Sequence, residues 1–365
     1  MELTAGGLCG SSLSEQLPLL SPEVIGIIAN FLFELHPPRH SGNVENDTIC
    51  CVKPPWCDVK AFMQASPETH QLGFERWVSV LTVREPQDWD IAFKIPHLIR
   101  ELVCLDKSIL SPNNSVLTQF PRLRAVCVDS HDDILPVPGV HRFAYRDIFS
   151  SLPPSIRHLE IKHAHGPDIK IISCVKRYCP DIESLWLGRC TMFNRVPPCN
   201  FWESFPFEHD SYIASEGTDG YAQSLGEELA PLRDLRSIRL GIYLVPSTTV
   251  LAHRLFHARD LPVPPIINWQ THLPPLNPNQ NEQGPQPQPQ LAQISDLIAL
   301  LHQEPEEETC KQCTQDFFVA TQSHEISATT ILVKNLPSLE LVEWMDWFSP
   351  FHSGVRSHFP VAHGE

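Results

Sequence analysis

One short phrase returns along this chain, and it limits the possible folds more than any other feature. A proline or leucine is followed by three apolar positions spaced three and two residues apart. The phrase reads Pro121, Leu123, Val126, Val128; then Pro154, Ile156, Leu159, Ile161; then Pro180, Ile182, Leu185, Leu187. It returns as Leu232, Leu235, Ile238, Leu240 and as Pro337, Leu339, Val342, Trp344, with weaker copies at Val78, Leu81, Val83 and Ile99, Leu102, Cys104. Copies beginning at 78, 99, 123, 156 and 182 are spaced by 21, 24, 33 and 26 residues, and the step from 182 to 235, 53 residues, is about two such units.

This is the strand half of a leucine-rich repeat. Its last two apolar positions alternate with variable ones, as a strand with one buried face requires. Helical spacing precedes several copies: Ile169, Ile172 and Val175 within 168–178; Tyr221, Ala222, Leu225 and Leu229 within 218–229; Phe317, Val319, Ile326 and Ile331 within 316–334. The expected class is α/β, an irregular leucine-rich-repeat solenoid with parallel strands on one side and helices on the other. Strands are predicted over 79–83, 101–105, 124–128, 157–161, 183–187, 236–243 and 340–344. The alternative is an ordinary α/β domain whose strands share leucine spacing.

The array occupies 78–260 and resumes over 309–350, leaving 351–365 as a tail. Between them, 261–308 holds the run Gln-Gly-Pro-Gln-Pro-Gln-Pro-Gln and ends in the acidic stretch Glu304 to Glu308. Such composition predicts a disordered insertion, with 262–290 unstructured. Leu291, Ile294, Leu297, Ile298 and Leu301 mark one amphipathic helix that either packs back or docks a partner. A second excursion, 189–217, is rich in aromatics; Phe201, Trp202, Phe205 and Tyr212 form a candidate partner-binding loop.

With 27 Lys plus Arg against 43 Asp plus Glu, the formal charge of −16 works against binding nucleic acid or an anionic membrane. No run reaches the roughly 18 apolar residues of a membrane helix, and the first 16 residues, read as disordered, lack the pattern of a secretory signal. Twelve irregularly spaced cysteines fit buried reduced thiols in a cytoplasmic or nuclear protein.

Residues 17–77 read as a helical module. Ser21 is placed to cap, Pro22 to open and Glu23 to complement a helix whose positions 24, 25, 28, 31, 32 and 35 are apolar. A second helix begins near Asp58 with Val59, Phe62 and Met63 on one face, and Pro67 ends it or starts the next. A stripe this wide must pack on the repeats or on a partner.

Leu20-Ser-Pro-Glu-Val-Ile-x-x-Ile28-x-x-x-Leu32 resembles the opening of an F-box, usually written LPxELLxxIxxxL, with Ser21 in place of the second position and 36–56 as an inserted loop. Cys179-Pro-x-Ile-Glu-Ser-Leu-Trp-Leu-Gly and Leu336-Pro-Ser-Leu-Glu are similar to repeats of F-box proteins of higher fungi. The resemblance implies a non-enzymatic substrate receptor of an SCF-type ubiquitin ligase. Leu20, Pro22, Glu23, Val24, Ile25, Ile28, Leu32, Val59 and Phe62 would contact a Skp-type adaptor held by a cullin, and the concave sheet and aromatic loop would present the surface for an unknown protein substrate. The competing expectation is a stand-alone leucine-rich interaction protein whose N-terminal helices only cap the array.

Catalytic and cofactor motifs are absent from this reading: no nucleophile elbow, phosphate loop or carboxylate pair stands out, and neither a catalytic residue nor a cofactor is expected. His163 and His165, and the His209–Asp210 pair, are expected to be surface or core residues. Cys310 and Cys313 have metal-like spacing, but a structural zinc needs four ligands and no second cysteine pair exists. His302 and His324 flank the pair, and the expectation is two thiols at the start of a helix rather than a metal.

Overall fold

Strands β1 (Val80–Val83), β2 (Glu101–Cys104), β3 (Ala125–Asp129), β6 (His158–Ala164), β7 (Ser184–Arg189), β8 (Ser237–Leu240) and β9 (Leu341–Asp346) lie side by side in that order, every adjacent pair parallel. The computed structural model describes residues 20–105, 115–138, 143–166, 168–191, 201, 217–246, 248–273, 291–301 and 307–360. Each copy of the recurring phrase supplies one strand of this mixed α/β arrangement. Its register is uniform: Leu102, Val126, Leu159, Leu185, Ile238 and Val342 form one row across the sheet. That row and the next apolar row, Cys104, Val128, Ile161, Leu187, Leu240 and Trp344, share the main core. Helices α5 (Asp168–Tyr178), α6 (Gly217–Leu229) and α10 (Lys311–Asn335) close that core with Ile171, Ile172 and Val175, with Ala222, Leu225 and Leu229, and with Ala328 and Leu332.

Three features depart from expectation. The 351–365 tail contains β10 (Gly354–His358), an antiparallel edge strand on β9. Arg356 and His358 on this strand reach the buried carboxylate of Glu325 at 3.0 and 3.1 Å. A hairpin, β4 (Ile134–Pro136) with β5 (Phe143–Tyr145), follows β3. The described parts of 261–308 are ordered in the fold, contrary to their composition. Helix α8 (Trp269–His272) and helix α9 (Ile294–Leu301) place Leu273, Ala292, Leu297 and Leu300 in a second core with Tyr243, Leu255, Phe256, Met345 and Trp347. Spaced apolar residues on either side of the proline-rich run provide that burial. Residues 274–290 lie outside the described residues.

The chain divides into two compact units, one formed by 20–35 with 53–77 and the other by 36–52 with 78 onward. Residues 36–52, expected as a loop of the helical module, thus belong with the sheet. His36 and Val52 exchange backbone hydrogen bonds of 2.9 and 3.0 Å at the neck of this segment. Between them it crosses the sheet's second face. Val44 N–H donates to Ser353 O beside β10 at 2.9 Å, and Lys162 Nζ on β6 donates to Val44 O and Asp47 O at 3.2 and 2.7 Å. Ile49 N–H donates to Glu160 at 3.0 Å, and Cys51 N–H donates to Glu101 on β2 at 2.6 Å. Side chains of the sheet thereby satisfy backbone groups that a buried loop would otherwise leave unpaired. Ile49 and Cys50 pack on Ala125, Cys127 and Trp186. This corrects the expectation of an open concave sheet: the segment occupies that face.

The other unit packs α1 (Pro22–Leu32), α2 (Trp56–Ala65) and α3 (Pro67–Trp77) around Ala29, Phe33, Val59 and Met63. Ser66 and Thr69 exchange backbone-to-side-chain bonds of 2.9 and 3.2 Å at the α2–α3 junction, and Pro67 opens α3. A Cβ on Gly73 would stand 2.7 Å from Met63 and 2.8 Å from Phe33, so glycine sets the spacing of α3 against its neighbours.

Candidate functional site

Ser21 takes the N-cap position of α1 in an extended conformation, although its side chain makes no capping bond. The backbone N–H of Glu23 and the Ser21 hydroxyl hold the Glu23 carboxyl below the usual carboxylate range. Pro22 and Glu23 are exposed. Leu20 is 57% exposed, Val24 40%, Ile27 54% and Phe31 74%, whereas Ile25, Ile28 and Leu32 are half-buried. An 11-residue helix therefore turns Ala29 and Phe33 inward and leaves a continuous apolar face outward. Two candidate docking residues lie elsewhere. Val59 is fully buried between α1 and α2, so it is a core residue and cannot meet a partner; Phe62 is half-buried against Phe33, their rings 5.8 Å apart edge to face. Trp56, 47% exposed, adds an aromatic surface, its ring 5.2 Å from that of Trp77, over which Lys53 Nζ sits at 4.7 Å.

Of the candidate aromatic loop only Phe201 is described, and it is a correction. Its ring is 2% exposed and packs 4.9 Å from His165 and 6.1 Å from Tyr145, filling the second core instead of offering a contact. Trp202, Phe205 and Tyr212 lie outside the described residues, as do His209 and Asp210.

The His163–His165 pair stands where β6 bulges, with His163 in the left-handed region at φ 54°. Burial would push its pKa down, but Asp129 at 3.0 Å and Glu45 at 3.2 Å reverse that and hold it up at about 9. His165, just past the end of β6, is fully buried on Asp133, which also accepts the backbone N–H of His165 and Gly166 at 2.9 and 2.8 Å. Beside them a cleft of about 590 Å³ is lined by Arg146, Lys170, Arg177, Phe149, Ile169 and Tyr178, among others.

Cys310 and Cys313 occupy the start of α10, with Cys310 at its N-cap. Of the flanking histidines, His302 lies outside the described residues, and His324 Nδ1 is 3.4 Å from Leu244 O. Instead His253, on α7 (Thr248–Leu255), and His257, in the helical turn that follows, face the thiols. Sequence reading missed both, although His253-x-x-x-His257 is a ligand spacing visible in the chain. Elsewhere, Cys50 and Cys127 are buried thiols whose pKa values burial drives upward, away from reactivity.

Compared with family models, with curated proteins and with solved structures, the chain has no significant match.

Proposed function

We propose that the chain is a non-enzymatic substrate-recognition adaptor of an SCF-type ubiquitin ligase, whose N-terminal helices dock a Skp-type adaptor and whose second unit is an irregular leucine-rich-repeat solenoid. One observation carries the reading: the outward apolar face of α1, formed by Leu20, Val24, Ile27 and Phe31. Within its own unit this face is not covered: Val24 and Phe31 are exposed, and Ile25, Ile28 and Leu32 only half-buried. The solenoid half rests on the run of parallel strands in chain order, each opened by the same phrase. Because residues 36–52 take the sheet's second face, a protein target would bind elsewhere on this unit. The cleft combines Phe149, Ile169 and Tyr178 with charges of both signs, Asp133, Asp147 and Lys170 among them, Lys170 being paired with Asp147 at 3.0 Å, and would suit a segment carrying apolar side chains.

Co-expression with a Skp-type adaptor tests the proposal. Wild type should co-purify with it, and Val24→Asp or Ile27→Asp should lose it while keeping the wild-type melting temperature. An apolar anchor at a docking face contributes about 2 kcal/mol or more, roughly thirtyfold in affinity. Failure of wild type to co-purify would leave the stand-alone interaction protein.

A further inference from the structure

We propose that His253, His257, Cys310 and Cys313 hold one structural zinc ion. One donor atom from each residue lies within 4.8 Å of the other three. Cys313 Sγ stands 3.1 Å from His257 Nδ1 and 3.4 Å from His253 Nδ1, and the backbone N–H of Cys313 points at Cys310 Sγ over 3.4 Å. With zinc–sulfur bonds of about 2.3 Å and zinc–nitrogen bonds of about 2.0–2.1 Å, the edges of a tetrahedral site run roughly 3.3–3.8 Å. Two of the six edges, both to Cys313 Sγ, are already close to that length, and the others are no longer than 4.8 Å.

Both halves of the set have ligand geometry of their own. His253-x-x-x-His257 brings one imidazole from the end of α7 and one from the turn that follows, and Cys310-x-x-Cys313 wraps two thiols around the first turn of a 25-residue helix. Two sulfurs and two imidazoles in a tetrahedron select zinc among common divalent ions. His257 carries the orienting partner typical of a ligated imidazole: its Nε2 is 3.3 Å from Asp316 Oδ2, leaving Nδ1 for the ion. A dication with two thiolates and two neutral imidazoles has no net charge and can be buried, as this cluster is beside Trp347 and Phe317.

The role follows from the positions. The two ligand pairs bracket the excursion from 258 to 309, whose described parts bury Leu273, Ala292, Leu297 and Leu300 in the second core and pack Val263, Ile267 and Trp269 against it. A metal clip there closes a long loop and fastens the end of α7 to the start of α10. His131, His165 and Cys190 form a smaller cluster, but Asp133 already occupies Nδ1 of His165 and the cluster has three members.

The test uses the full chain, purified with reductant and without chelator. Elemental analysis should give one zinc per chain, and cobalt substitution should give the visible bands and thiolate charge-transfer absorption of a four-coordinate site. Cys310→Ser is the informative variant: serine keeps the N-cap of α10, so folding survives while a thiolate is lost. It should weaken zinc binding roughly tenfold or more against a chromophoric chelator. The remote Cys174→Ser should retain one zinc. Zinc removal should accelerate proteolysis between 258 and 309. The proposal is overturned if wild type carries no zinc and takes up no cobalt in a four-coordinate site, if Cys310 and Cys313 prove to be joined as a disulfide, or if Cys310→Ser binds zinc as wild type does.

Discussion

Arg239 Nη2 on β8 donates to Asp47 Oδ2 at 2.8 Å; the two residues are 192 positions apart and both are buried. The same guanidinium bonds Glu343 on β9 at 2.8 Å and lies 3.9 Å above the Trp186 ring. This bond fastens residues 36–52 to the centre of the sheet. Asp47→Ala should therefore cost about 3 kcal/mol or more, because it leaves a buried guanidinium with one carboxylate fewer. Urea unfolding measures it, and a loss under 1 kcal/mol would mean that the segment is held by its apolar contacts and its other hydrogen bonds to the sheet instead of by this ion pair.

The His163 cluster predicts a pH dependence of definite sign. Its folded pKa, about 9, exceeds the ordinary 6.5, so the folded state binds the proton more tightly. The stabilisation is complete below about pH 6.5 and fades as pH rises towards 9. It should amount to about 2–3 kcal/mol. The stability difference between wild type and His163→Asn should shrink over that interval; asparagine tolerates the φ of 54° at this site. A difference that stays flat from pH 6 to 9.5 would remove Asp129 and Glu45 as the cause.

Two glycines should answer alanine with opposite signs. A Cβ on Gly241 would sit 2.5 Å from Arg189 N and 2.7 Å from Leu187 O, which are backbone atoms that cannot yield cheaply, whereas Gly26 in α1 has nothing within 4 Å. Gly241→Ala should cost about 2 kcal/mol or more, and Gly26→Ala should stabilise the helical unit by about 0.5–1 kcal/mol. Thermal unfolding of both variants checks the pair.

Edge strand β10 is tied to α10 by Arg356, which bridges Glu325 at 3.0 Å and Asp346 at 2.5 Å and lies over the Phe318 ring at 4.7 Å. Arg356→Ala leaves the fully buried Glu325 facing only His358 and should cost about 3 kcal/mol. Hydrogen exchange at 354–358 should rise with it.

The parallel sheet was legible because each strand announces itself locally: Leu159 and Ile161, or Leu185 and Leu187, face one core at a spacing of two. Its second face was not legible. Glu160, Arg239 and Glu343 look like solvent-facing strand residues, and only a segment more than a hundred positions away explains their burial. A separation of more than fifty positions likewise hid His253 and His257 from Cys310. In the helical unit the apolar excess of α1 could be read but not which side faces out: Ile27 and Phe31, outside the expected docking set, are exposed, Ile25, Ile28 and Leu32 are half-buried, and Val59 is buried with Ala29 and Phe33. Phe201 misled for the reverse reason: an aromatic in a polar stretch resembles a contact residue until the core it fills is seen.

Hydrogen exchange of the full chain with and without a Skp-type adaptor tests adaptor docking most directly. The account predicts new protection confined to the amides of residues 20–35 and the adjoining ends of α2 and α3, absent in Ile27→Asp at the same adaptor concentration. Unchanged exchange over residues 20–35 at saturating adaptor, or protection that appears only across the sheet, would contradict it.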